Sequence, residues 1–96
     1  MWKIKIHRLV VEEDLKRIDT KDRATLLKTI YKKLTVAPEK YGSPLRSPLK
    51  GYWKLRISHY RVVYRIEEAI KVLVLKVGMR RDEAVYQKML QRIQKI

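Results

Sequence analysis

The 96-residue chain has no cysteine. Disulfides and thiolate metal sites are therefore excluded, and nothing points to an oxidising compartment. Long apolar runs are also missing. The longest wholly aliphatic stretch is Val72 to Leu75, far short of the ~20 residues that cross a bilayer. The N-terminus, MWKIKIHRLVVEEDL, lacks a continuous apolar region and reads as folded protein, not as a signal peptide. The expected location is the cytoplasm, with no membrane contact. Glycine-rich phosphate loops and Ser-His-Asp arrangements are absent. Of the two histidines, His7 is placed on a first strand and His59 in a turn. These positions give no support for paired imidazoles at one phosphate. The acids fall in the first helix, in turns and at helix starts. They do not converge, which argues against a magnesium-dependent nuclease, and no cofactor is expected.

Positive charge is what the chain has in excess. Lys and Arg number 24 against 10 Asp and Glu, a net charge of +14 with histidines neutral. Self-repulsion on so small a surface costs stability, and a polyanionic partner would relieve it: nucleic acid, a ribosome or an acidic protein. The excess is uneven. Lys40 to Ile66 contains seven basic residues and no acid, whereas Glu12, Glu13, Asp14, Asp19 and Asp22 cluster near the start.

The length implies one domain, residues 1–96, with no linker or low-complexity tract dividing it. Trp2, Ile4 and Ile6 alternate with Lys3, Lys5 and His7, the pattern of a strand. Val11, Leu15 and Ile18 then recur at helical spacing, with Glu12 and Glu13 in the first turn, where acids suit the helix dipole. Asp19 and Thr20 offer a break and a new N-cap. A second helix follows with Leu27, Ile30, Tyr31 and Leu34 inward, ending at Ala37-Pro38. Residues 39–51 read as an irregular loop. Strands are expected over Tyr52–Ile57, Tyr60–Ile66 and Ile70–Val77, joined by connections short enough only for hairpins. Asp82 is a candidate N-cap for a last helix with Val85, Met89, Leu90 and Ile93 on one face. The order is β-α-α-β-β-β-α, an α+β domain with a mostly antiparallel sheet packed against helices.

The stretch GYWKLRISHYRVVYRI, residues 51–66, concentrates the charge on one face. Pairing Ile57 with Tyr60, Leu55 with Val62 and Trp53 with Tyr64 gives an apolar side. The other side then holds Arg56 opposite Arg61, Lys54 opposite Val63 and Tyr52 opposite Arg65. Like charges directly opposite are destabilising, by up to ~1 kcal/mol. With no acid interspersed, a phosphate-binding face is the better reading than an ordinary solvated one. Arg56, Arg65 and Lys50 are candidates for phosphate, and Tyr52 could stack on a base. Metal-free cleavage of RNA needs only alignment of the neighbouring 2′-hydroxyl, stabilisation of added negative charge, and handling of two protons. Guanidiniums serve the charge. A lysine works as a base only when neutral, and Lys54 is the lysine on this face.

The segment LKGYWKLRISHYRVVYRI followed by VLVLKVGMRRDEAVY resembles the RelE/ParE toxin superfamily of bacterial and archaeal toxin–antitoxin systems. Within it the sequence looks more like the RelE branch of ribosome-dependent mRNA endoribonucleases. That resemblance implies a type II toxin with an acidic antitoxin, acting on ribosome-bound mRNA and leaving a 2′,3′-cyclic phosphate. By motif, it implies Lys54 as general base, Arg61 as transition-state stabiliser, Arg80 at the leaving group, and Tyr86 stacking on or orienting the substrate. Two departures stand out. Tyr52 occupies the place of a second lysine, and the hairpin turn is Ser58-His59. Two other readings remain: a ParE-like gyrase inhibitor without nuclease activity, or a non-enzymatic module that binds nucleic acid or an antitoxin.

Overall fold

A five-stranded sheet in the order β1-β5-β4-β3-β2 runs through the centre of the molecule. The structure is a computed structural model that describes residues 2–67, 71–79 and 84–95. The strands are β1 (Lys3–Ile6), β2 (Ser43–Pro44), β3 (Trp53–Ile57), β4 (Tyr60–Glu67) and β5 (Lys71–Met79). The helices are α1 (Thr20–Leu34), α2 (Pro38–Tyr41) and α3 (Ala84–Lys95). β1 lies parallel to β5, and every other pairing is antiparallel. The α+β class expected from the sequence is the one observed, with helices on both faces of the sheet.

One face packs under α1. Asp19 caps that helix, its side chain accepting the Asp22 N–H at 2.8 Å. The buried stripe is Leu26, Ile30 and Leu34, four residues apart. Ile30 and Leu34 are buried as expected, whereas Leu27 is only partly buried, Tyr31 is exposed at 46%, and Leu26 completes the stripe. These side chains meet Leu55, Ile57, Val62, Tyr64, Val72, Val74 and Val77 from the sheet. Trp53 and Tyr60 pack against the same cluster.

The segment before α1 departs from the expected regular helix. Val10–Asp14 forms a π-helical turn and Leu15–Arg17 a 3₁₀ turn. Val11, expected inward, is 52% exposed, and Val10 is buried in its place. The wider turn also carries Asp14 inward, to the edge of β5 that the four-residue β1 leaves uncovered. There the carboxylate accepts from Val77 N–H at 2.8 Å, from Lys76 Nζ at 2.9 Å, and from both Nη atoms of Arg92 at 2.9 Å. Arg92 also donates to the Leu75 carbonyl at 2.9 Å. All three charged side chains are buried. A single carboxylate thus ties the first helical segment, β5 and α3 together.

Residues 39–51 are less irregular than expected. Pro38 opens α2, where its missing N–H costs nothing, and Ser43–Pro44 pairs with Lys54 and Trp53. Gly42 joins the two elements. A Cβ there would sit 1.8 Å from the Tyr64 hydroxyl, which donates to the Pro38 carbonyl at 2.6 Å. The β4–β5 turn (68–70) and Asp82 lie outside the described residues.

β4 is buried on both faces, contrary to the wet-face expectation. Val62, Val63 and Tyr64 are each 0% exposed. A bulge between Val63 and Tyr64 leaves Leu75 without an opposite residue. Leu75 joins Val63, Leu49, Val85 and Met89 in a second core under α3. The apolar stripe expected on the last helix is what covers that face.

Asp14→Ala strands two buried cations, and the expected loss is about 3–5 kcal/mol of unfolding free energy in urea titration. The exposed Glu12, paired with Arg8 at 3.5 Å, provides the contrast: Glu12→Ala should cost less than about 0.5 kcal/mol. Burial raises the Tyr64 phenol above its ordinary value of 10.0. The neutral phenol is thereby favoured in the fold. Its contribution is complete below the unfolded value and is lost as pH rises from there towards the folded one. Wild type should therefore lose stability above pH 10 more steeply than Tyr64→Phe, as measured by urea unfolding across that range.

Candidate functional site

Strand register decides which side chains can act together. In the β3–β4 hairpin Trp53 lies opposite Tyr64, Leu55 opposite Val62, and Ile57 opposite Tyr60. Lys54 lies opposite Val63 and Arg56 opposite Arg61. All five pairs are those the hydrophobic pattern implies. The turn closes through Ser58 at φ 52°, a left-handed conformation uncommon outside glycine.

Lys54, Arg56 and Arg61 consequently share the face turned away from α1. Arg56 is exposed, while Lys54 and Arg61 are partly buried. Lys54 and Arg56 make no side-chain hydrogen bond or ion pair with a described residue. Arg61 reaches α3: its Nη1 donates to the Tyr86 hydroxyl at 2.5 Å, with the guanidinium carbon 5.6 Å from the ring centre. The Arg61 Nε–H is buried without a partner.

Gly78 makes that contact possible. It sits opposite Arg61 in the β4–β5 register, and a Cβ there would lie 2.3 Å from Val85 Cγ2. Only a residue without a side chain lets α3 approach β5 this closely. Tyr86, the next residue along the helix, then reaches Arg61.

The remaining candidates are placed differently. Arg65 Nη2 bonds Glu67 at 2.7 Å, so its charge is matched and not free as the acid-poor stretch suggested. That hydrogen bond, with smaller help from Tyr52 and against some desolvation, raises the Arg65 pKa. Tyr52 packs against the second core, and its backbone joins the 45–52 loop through bonds to Leu45 and Leu49. Lys50 is exposed in that loop. Arg80 lies outside the described residues. His59 is exposed in the hairpin turn, and His7 accepts the Leu9 N–H through Nδ1 at 3.1 Å, a local structural bond. The structure thus brings together Lys54, Arg56, Arg61 and Tyr86. Periodicity gave no hint of the Arg61–Tyr86 contact, because the signal for it is a single glycine on a neighbouring strand.

Gly78→Ala should push α3 off the sheet and lower stability by about 1–3 kcal/mol in thermal or urea unfolding. In a crystal structure of that variant, the Arg61–Tyr86 hydrogen bond should be broken.

Residues 4–84 match the family described as ParE toxin of type II toxin–antitoxin system, parDE. Toxin RelG of Mycobacterium tuberculosis is 33% identical over 70 residues, covering 72% of this chain and 80% of that protein. Toxin RelE of the same organism is 36% identical over 55 residues, so that the match spans just over half of each chain, 57%. Among solved structures, the toxin–antitoxin complex RelBE2 of M. tuberculosis aligns with a TM-score of 0.76 at 26% identity, over 82% of this chain and 98% of that one. The isolated RelE toxin of E. coli shares the fold, with a TM-score of 0.66 at 21% identity over 97% and 99% of the two chains. With its sheet order, its basic hairpin and a match covering most of its length, the chain belongs to the RelE/ParE superfamily of type II toxin–antitoxin toxins.

Proposed function

We propose that the protein is a ribosome-dependent, metal-independent mRNA endoribonuclease of the RelE type, acting in the cytoplasm. The observation that carries this reading is the triad Lys54, Arg56 and Arg61 on one face, with no carboxylate bonded to any of them among the described residues. Such a face attracts a phosphodiester, and the RNA supplies its own nucleophile in the 2′-hydroxyl. Lys54 takes the hydroxyl proton as the oxygen attacks phosphorus. Arg61 and Arg56 stabilise the negative charge that builds on the phosphoryl oxygens. A phosphate oxygen beside Arg61 would also give its unpartnered Nε–H an acceptor after a small shift of the side chain. Tyr86 orients that guanidinium through its hydroxyl and offers ring surface to the substrate. Arg80 belongs at the departing 5′-oxygen, where a permanently charged guanidinium stabilises the leaving group better than it donates a proton. Cleavage leaves a 2′,3′-cyclic phosphate and, as the departing 5′-oxygen takes a proton from water, a 5′-hydroxyl.

The partner that silences such a toxin is an acidic antitoxin, whose carboxylates and apolar residues cover the basic surface. Two of the solved relatives support this. One is the RelBE2 toxin–antitoxin complex, and another is a mutant E. coli RelE bound to an antitoxin RelBc peptide. The family description, ParE toxin, favours a second reading in which the target is gyrase and no RNA is cut. A supercoiling assay separates the two.

Wild type should cut ribosome-bound mRNA in the presence of EDTA, with cyclic phosphate and 5′-hydroxyl ends. Lys54→Ala should slow cutting by about 10²–10⁴-fold. Arg61→Ala should abolish it while the thermal unfolding midpoint stays within a few degrees of wild type. Normal cutting by Arg61→Ala, or gyrase inhibition with no effect on mRNA, contradicts the reading.

A further inference from the structure

A second basic feature lies on the outer side of β3. There β2 pairs with Trp53 and Lys54 only, so no described strand covers the edge beyond Lys54. A cleft of about 300 Å³ opens at that place, lined by Lys33, Tyr41, Ser43, Lys54, Leu55 and Arg56. Three of the six are cations and none is an acid. Tyr41 ends the short helix α2 with 48% of its surface exposed. Lys33, in the last turn of α1, holds its Nζ 5.6 Å from the centre of the Tyr41 ring. The cation steadies the ring, and half of the residue stays open to solvent.

This combination is the one that single-stranded nucleic acid uses: cations for the backbone and an aromatic ring for a base. The cleft shares Lys54 and Arg56 with the proposed cleavage site, so the two are contiguous. We infer that the cleft is a second nucleotide subsite, in which Tyr41 stacks on a base neighbouring the scissile linkage and Lys33 takes the adjoining phosphate. The inference rests on the endoribonuclease reading, since it is the RNA on Lys54 and Arg61 that would extend into the cleft. An acidic protein segment on the same cations is the competing occupant. The continuity of the cleft with Lys54 and Arg56 of the proposed cleavage site favours RNA.

The test uses an RNA hexamer with fluorine in place of every 2′-hydroxyl, which binds but has no nucleophile. Tyr41→Ala should weaken its binding on the order of tenfold, the effect of losing one base–aromatic stack. Tyr41→Phe keeps the ring face and should bind within about twofold of wild type. Lys33→Gln should reduce the slope of log affinity against log salt by about 0.7, one phosphate contact on a single strand. Tyr41→Ala should leave that slope unchanged. Thermal unfolding of each variant establishes that the fold is intact. The inference is overturned if wild type does not bind the hexamer, or if Tyr41→Ala and Lys33→Gln bind it as wild type does. It is equally overturned if Tyr41→Ala loses antitoxin affinity while RNA affinity is unchanged, because the cleft then belongs to the protein partner. Failure of the parent reading looks different: Arg61→Ala would still cut ribosome-bound mRNA, whatever Tyr41 does.

Discussion

The placement of α3 against β5 is the constraint on which the candidate site depends, and a buried carboxylate holds it. Asp14 sits between Lys76 and Arg92 and also accepts a backbone N–H from β5. Buried ion clusters are weak evidence for stability, because desolvation offsets much of the Coulomb attraction. Their geometry, however, is demanding. A bidentate Arg92 with a further bond to the Leu75 carbonyl permits one seating of the helix. Gly78 removes the steric bar to that seating, and Val85 and Met89 fill the space beneath it. Tyr86 is then carried to Arg61, and the reactive-looking face acquires an arginine of fixed orientation.

The same architecture explains how the protein tolerates an unneutralised pair at Arg56 and Arg61. The like-charge cost of such a pair is small beside the burial of Val62, Val63 and Tyr64 in the same strand, each of which contributes roughly 1.5–3 kcal/mol. Several carboxylates build structure: Asp14 at the β5 edge, Asp19 in a helix cap, Asp22 on the Tyr60 hydroxyl, Glu67 on Arg65. None of these four is bonded to Lys54, Arg56 or Arg61. A polyanion meets cations whose mutual repulsion it relieves, which is favourable both for RNA and for an acidic antitoxin.

Much of the hairpin was legible in the chain because alternation carries a register with it. Sliding β3 by one residue would bury Lys54 and Arg56, so Trp53, Leu55 and Ile57 select one pairing. The Asp19 cap was legible for a similar reason, being a local bond with a local signature. What was hidden lies in non-local contacts. Val11 looked inward until the π-helical turn shifted the face by one residue to bury Val10 and Asp14. No pattern in α3 shows that a carboxylate 78 residues earlier awaits Arg92. Arg65 lost its role as a free cation to Glu67, which stands one residue past the acid-free stretch. The contact between Lys33 and Tyr41 was hidden because the short helix that ends in Tyr41 was read as loop.

The central claim is that cations from β3 and β4, steadied by α3, converge on one ribonucleotide linkage. A crystal structure of the protein with a dinucleotide whose 2′-hydroxyl is replaced by fluorine tests this most directly. The account predicts the bridging phosphate within hydrogen-bonding distance of both Lys54 Nζ and the Arg61 guanidinium, with Tyr86 still in contact with Arg61. A phosphate bound elsewhere on the basic surface, with Lys54 and Arg61 pointing apart, would contradict it.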